Sequence, residues 1–381
     1  MELSRYDLES IERHRAAPDA DASLARRFPA RVSAIVMPFN AIGRSAVQSG
    51  GIVMSDGQTP TRRTFLARAG LAAVSARVLI RSRDASAQTS VPNSSGAASP
   101  TLQAPPNTCD CHHHIYDAVR FPLPANSSNP MVSQARAEEY QLLKKRLRTT
   151  RSVIVTPAPY VTDNRVTLDA IARLGPTARG VAVVRPEVTD AELKALDRGG
   201  IRGIRFSLNP SAALLNPVTT IDMVEPLSKR IASLGWHVQV NLTPDGIAST
   251  EALWNRLPTP IVFDHIAGIP GRAGTSHPAY AVVRRLMDKG RAWVKLSVGN
   301  GTSSDDGSPT YADLVSLGQE FVKAAPERLV WGSNWPHPGD AQKPDDAILF
   351  DLMARWSPDE RTRRRILVDN PAMLYGFDRT L

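Results

Sequence analysis

From Thr108 to the C-terminus, short apolar runs alternate with longer stretches whose apolar residues fall three and four positions apart. The first pattern is that of strands and the second that of amphipathic helices. Strands are predicted over residues 108–115, 152–156, 180–184, 201–206, 236–242, 260–266, 292–298 and 328–333, and helices over 166–174, 191–198, 223–234, 279–289 and 311–324. Strand and helix in unbroken succession predict a parallel sheet. Eight such units favour closure into a single (β/α)8 TIM barrel over 108–381, an α/β fold, rather than an open doubly wound sheet. No G-x-G-x-x-G follows the first run, which argues against a dinucleotide fold. In a barrel of this kind chemistry sits at the C-terminal ends of the strands.

The N-terminal part of the chain reads differently. Residues 1–53 carry no sustained period and are read as a non-native or disordered extension, since Met54 offers a later start. Residues 54–87 read as a twin-arginine export signal: Arg62-Arg63 in Thr61-Arg62-Arg63-Thr64-Phe65-Leu66, the small apolar run from Ala69 to Val74, and an A-x-A cleavage site at Ala85-Ser86-Ala87. The expected partner is then the twin-arginine export machinery, and the expected location is periplasmic or secreted. If the segment is only a basic tail, the protein is cytoplasmic. Residues 88–107, rich in Ser, Pro, Ala and Asn, are read as a flexible linker.

Composition narrows the function. The net charge of +9 invites a nucleic-acid reading, but residues 1–87 hold 13 Arg, no Lys and 8 acidic residues, leaving only +4 on the rest. No run of Lys and Arg is interleaved with aromatics, so a nucleic-acid partner is not expected. No run of 18 uncharged apolar residues exists, so no membrane-spanning helix is expected. The two cysteines, Cys109 and Cys111, exclude a disulfide scaffold and an all-cysteine zinc site, and along an extended strand they sit too close to bridge each other.

The candidate chemistry lies near the predicted strand ends. The first strand reads Asp110-Cys111-His112-His113-His114, and alternation puts Asp110, His112 and His114 on one face. Paired imidazoles at a barrel mouth suit metal ligation or polarisation of a carbonyl. Arg205 ends the fourth strand and suits a carboxylate or lactone oxygen. Asn241 ends the fifth, while His237, near its start, is expected in the core. Asp264 and His265 end the sixth, with Asp264 as an orienting partner and His265 as ligand or acid–base. Lys295 lies on the seventh. The eighth runs into Gly332-Ser333-Asn334-Trp335-Pro336-His337-Pro338, where Asn334 and His337 are candidates.

Taken together, Asp110 to Asp117, Thr162-Asp163-Asn164, Gly203-Ile204-Arg205-Phe206, Asp264-His265-Ile266, Trp331 to Pro338 and Asp369-Asn370-Pro371 resemble the amidohydrolase superfamily. The similarity is to its TIM-barrel branch of lactone-processing enzymes, which includes pyrone-dicarboxylate hydrolases and galactarolactone isomerases. It covers Thr108 to Phe377. It implies His112, His114, His265 and Asn334 as catalytic residues, with Arg205, Asn241, Lys295 and His337 binding substrate. Metal-dependent members supply a histidine where this chain has Asn241 and an aspartate where it has Asn334. No metal cofactor is therefore expected, and zinc on His112, His114 and His265 is the alternative. Arginines that would hold a second carboxylate are replaced at Ser211, Gly268 and Gly301, which disfavours a dianionic pyrone. The expected function is hydrolysis of a small-molecule lactone or cyclic ester, its carbonyl polarised by the histidines. The alternatives are a metal-independent sugar-lactone isomerase and a catalytically impaired exported binding protein. Asn334 leaves water activation without an obvious base, and Asp110 or Asp264 fills that role only if it reaches the pocket.

Overall fold

The computed structural model describes residues 90–124, 127, 134–209, 219–299, 301–303 and 310–378. The expected extension, the export signal, the first two linker residues and Ser211 lie outside them. Eight parallel strands form one sheet: β1 Cys109–His113, β2 Arg151–Val155, β3 Ala178–Ala182, β4 Ile201–Ser207, β5 His237–Asn241, β6 Ile261–Phe263, β7 Ala292–Leu296 and β8 Leu329–Trp331. They pair in chain order, each with the next, as the succession of patterns predicts. Of the expected helices, Arg165–Leu174, Asp190–Arg198, Pro278–Asp288 and Ala312–Ala324 match within a residue or two. Val224–Ile231 is shorter than expected and runs into a 3-10 turn.

Other helices were not legible. Ala137–Leu147 packs outside β1 and β2, and Asp346–Trp356 follows β8. The first is mostly polar and charged, Ala-Glu-Glu-Tyr-Gln-Leu-Leu-Lys-Lys-Arg-Leu, and its apolar stripe is narrow. The second is apolar on much of its surface, as befits a helix buried on several sides.

The seam between β1 and β8 is closed by a few particular groups. Asn334 N–H donates to the His112 carbonyl and His114 N–H to the Trp335 carbonyl, both at 2.8 Å. The Asp110 carboxylate accepts from Ser333 N–H at 2.9 Å, Ser333 Oγ at 2.6 Å and Tyr140 Oη at 3.0 Å. A Cβ on Gly332 would lie 2.6 Å from His112 Cβ and 2.9 Å from its backbone nitrogen. Only glycine lets the strands come this close.

The barrel interior below the mouth is apolar. Cys109, Cys111, Val153, Val155, Val181, Val262 and Val330 pack there with Trp293 and with Tyr375 and Phe377 from the C-terminal segment. The layer outside the sheet, against the helices, forms the larger core.

The stretch expected to be a flexible linker is fastened in its described part. Residues 90–107 contain no helix or strand, as the Pro- and Ser-rich composition requires, but their backbone polar groups find partners on the barrel. Trp335 Nε1 donates to the Pro92 carbonyl at 2.9 Å, and Ser95 N–H to the Pro344 carbonyl at 2.9 Å. Arg146, nearly fully buried, donates to the Ala98 and Ser95 carbonyls and pairs with Asp345. Composition forecasts the lack of regular structure. It does not forecast that a buried arginine donates to the carbonyls of this segment.

Candidate active site

The histidines reach the mouth through an irregularity in β1. The register of β1 against β2 shifts between Asp110 and His113. Cys109 and Cys111 face the interior before the shift. After it His112 and His114 turn inward, and His113 turns outward to stack on Tyr140 with ring centroids 3.5 Å apart. Simple alternation therefore places the histidines correctly and Asp110 wrongly. Asp110 stands at the seam, fully committed to Ser333 and Tyr140, and burial pushes its carboxyl up to about 6.

One run of hydrogen bonds fixes the tautomers. His114 Nδ1 lies 2.8 Å from the Val155 carbonyl, so that nitrogen carries the proton and Nε2 keeps its lone pair. His112 Nε2 lies 3.2 Å from His114 Nε2 and donates to it. His112 Nδ1 then accepts from Lys295 Nζ at 3.2 Å, and Lys295 also donates to Gln239 Oε1 at 2.8 Å. Lys295 is wholly buried. Its ammonium, expected to bind substrate, lies beneath His112, between that ring and the Gln239 amide.

Asp264 is the hub of this layer. Its Oδ2 accepts from Arg205 Nε at 3.2 Å and Gln239 Nε2 at 3.1 Å. Its Oδ1 lies 3.2 Å from His112 Nδ1 and 3.5 Å from Lys295 Nζ, yet forms no aligned hydrogen bond. Burial works against this carboxylate. The Lys295 ammonium and the Arg205 guanidinium outweigh that and hold it well below the usual range. Burial also pulls the imidazoles down: His112 well below its ordinary value, His114 to about 3 and His265 to about 4. All three are neutral at pH 7.

His265 enters from an unusual turn. β6 ends at Phe263, short of the expected residue 266, because His265, Ile266 and Ala267 all take left-handed φ, 49°, 52° and 57°. Three such non-glycine residues in a row cost backbone energy, a cost commonly found at functional sites. The turn brings His265 within 4.8 Å of His112, ring to ring, with Nδ1 2.9 Å from Ser297 Oγ. A Cβ on Gly299 would come 2.6 Å from the His265 ring, so glycine is required behind it.

The remaining expected residues are accounted for. Arg205 is nearly buried, and its two Nη atoms have no hydrogen bond among the described residues. Asn334, at φ 67°, uses its backbone at the seam and leaves its side-chain amide without a partner among the described residues. Asn241, partly buried at the end of β5, likewise has an unbonded side chain there. His337 lies in the same turn as Asn334, with Nε2 3.1 Å from Asp346 Oδ1. His237 packs edge-on to Tyr375 in the lower core, as expected. Asn164 ties β2 to β3 through Thr156 and the Val183 backbone. Its motif is structural.

Among the described residues, His112, Asp264 and His265 form a group of three whose donor atoms lie within 4.8 Å of one another. It differs from the expected zinc set in having Asp264 in place of His114.

The model of a family described as "Amidohydrolase" matches residues 109–377. The chain belongs to the amidohydrolase family. This amidohydrolase is 32% identical to the 4-sulfomuconolactone hydrolase of Rhizobium radiobacter over 276 residues, 71% of this chain and 91% of that protein. It is 30% identical to the D-galactarolactone isomerase of Agrobacterium fabrum over 284 residues, 74% of this chain and 94% of that protein. An apo crystal structure from Agrobacterium tumefaciens superposes with a TM-score of 0.67 at 28% identity, covering 75% of this chain and 99% of that one. The sequence singles out His112, His114 and His265, which the structure brings together, but not Asp346, which bonds to His337. The signal was an acidic pair, Asp345-Asp346, opening an apolar stretch, the mark of a helix N-terminus.

Proposed function

We propose that this amidohydrolase hydrolyses a lactone that carries an anionic group, using protein side chains alone. The observation that carries the reading is the charge of the mouth layer. Two buried cations, Arg205 and Lys295, face one carboxylate, Asp264, while the three imidazoles are neutral. The surplus positive charge, with Arg205 Nη atoms that have no hydrogen bond among the described residues, suits an acidic substituent. His265, whose Nδ1 is held by the Ser297 hydroxyl, turns Nε2–H to the oxyanion that forms on attack, while His112 and His114, their protons committed to each other and to the Val155 carbonyl, fix the wall beside it. Asn334 and Asn241 contribute hydrogen bonds to substrate. The names of both relatives specify lactones.

A resident metal fits this layer poorly. Lys295 Nζ stands 3.2 Å from His112 Nδ1 and 3.5 Å from Asp264 Oδ1. It brings positive charge to two of the three groups that would hold the ion, and a second cation there meets repulsion in a poorly screened interior. A lactone isomerase, in which a substrate hydroxyl replaces water, is the second reading. It rests on Asn334 standing where a carboxylate base would serve hydrolysis.

The test is turnover across a panel of acidic and neutral lactones, with and without a chelator. We expect kcat/KM for acidic members at least about tenfold above neutral analogues, one buried charge-assisted hydrogen bond being worth that much, and no effect of chelation. Preference for neutral lactones contradicts the anionic assignment, and activity lost to chelator and restored by zinc contradicts the metal-free one. We further propose export by the twin-arginine route, which predicts a mature N-terminus at Gln88. A mature chain that retains Arg62-Arg63 contradicts it.

A further inference from the structure

The layer described above holds no free carboxylate. Asp110 is committed at the seam, and Asp264 is enclosed by Arg205, Gln239, Lys295 and His112. The turn after β8 offers another group. His337 Nε2 lies 3.1 Å from Asp346 Oδ1, and Asp346 is wholly buried. A carboxylate only accepts, so Nε2 carries the imidazole proton and the lone pair is on Nδ1. That nitrogen has no hydrogen bond among the described residues, and Asp340 Oδ2 stands 3.9 Å from it.

The ring is held from several sides. His337 N–H donates to the Asn334 carbonyl at 2.8 Å, and Lys343 Nζ donates to the His337 carbonyl at 2.6 Å. The backbone takes φ 56°, a strained value for histidine that the surrounding bonds enforce. The side chain lines a cavity of about 880 Å³, together with Ser95, Gly299, Tyr311, Asp340 and Lys343. Gly299 is also the residue that backs onto the His265 ring, so the cavity reaches that imidazole.

We propose that His337, oriented by Asp346, is the general base that takes the proton from the attacking water, in place of the carboxylate β8 lacks. The proposal rests on the lactone-hydrolase reading. Water oxygen bonds to the carbonyl carbon as its proton passes to His337 Nδ1, and the carbonyl electron pair moves onto oxygen beside His265. Collapse re-forms the carbonyl and breaks the ring C–O bond. The departing alkoxide takes the proton back from Nδ1, giving the hydroxy acid and a neutral imidazole. Asp346 stabilises the transient imidazolium, with Asp340 adding to it. The other charged or titratable groups around the ring are Lys343 and His265.

The experiment uses a lactone that the wild-type protein hydrolyses. His337→Gln is expected to lower kcat by about a hundredfold or more with KM little changed, and Asp346→Asn to lower it less. His337→Gly suits the left-handed backbone, and added imidazole should restore part of its kcat. Retention of more than a third of wild-type kcat by His337→Gln overturns the proposal. So does a folded His337→Gly that imidazole does not rescue. Absence of hydrolysis of any lactone by the wild-type protein instead overturns the hydrolase reading, and the base with it.

Discussion

Asp264→Asn is expected to lower kcat/KM by on the order of a thousandfold, the upper end of what removing one preorganised polar group from a buried catalytic layer costs. The reason lies in its four neighbours. Oδ2 receives Arg205 Nε and Gln239 Nε2, and Oδ1 lies beside His112 Nδ1 and Lys295 Nζ. An asparagine amide brings its NH2 either against Arg205 Nε and Gln239 Nε2 or against the Lys295 ammonium, so a donor meets a donor in both orientations. The Arg205 and Lys295 charges also lose their buried counter-ion. Breaking a buried pair in this way costs about 3 kcal/mol of stability. Steady-state kinetics and urea midpoints check both effects. Activity within tenfold of wild type shows that Asp264 does not organise the site.

Lys295→Met is expected to cost about a hundredfold in kcat/KM, the scale seen when one preorganised donor is removed from a buried catalytic layer. Methionine fills the space, so packing changes little, but the donor that fixes the His112 tautomer and holds Gln239 is gone. The sign of the accompanying electrostatic change is also fixed. The Lys295 charge helps burial keep His112 deprotonated, whereas Asp264 favours its protonation. Removing the lysine therefore raises the His112 pKa. The acid limb of the kcat/KM profile should move to higher pH in Lys295→Met, and an unshifted limb contradicts the contact. Lys295→Arg should not restore activity, because a larger planar guanidinium has no room in a fully buried slot.

The parts of the fold that were legible are those set by period. Eight apolar runs announced eight strands because strands buried on both faces need continuous apolar sequence. The residues at strand ends were legible as types, and His112, His114, His265 and Arg205 do converge. What the sequence concealed depends on contacts across the barrel. The β1 register shift that separates Asp110 from His112 leaves no mark in Asp110-Cys111-His112. The role of Lys295 depends on His112, 183 positions away. The left-handed run at His265 to Ala267 contradicts the preferences of isoleucine and alanine, so tertiary packing had to impose it. Asp346 was hidden because its partner, His337, lies on the preceding turn and the helix it opens was not read.

The most direct test of the proposed hydrolase is reaction of an accepted acidic lactone in H2 18O, with product examined by mass spectrometry. Hydrolysis through water activated at the mouth predicts one solvent oxygen in the carboxylate of the ring-opened product during a single turnover. A product isomeric with the lactone, carrying no solvent oxygen, would contradict hydrolysis and identify a substrate hydroxyl as the nucleophile.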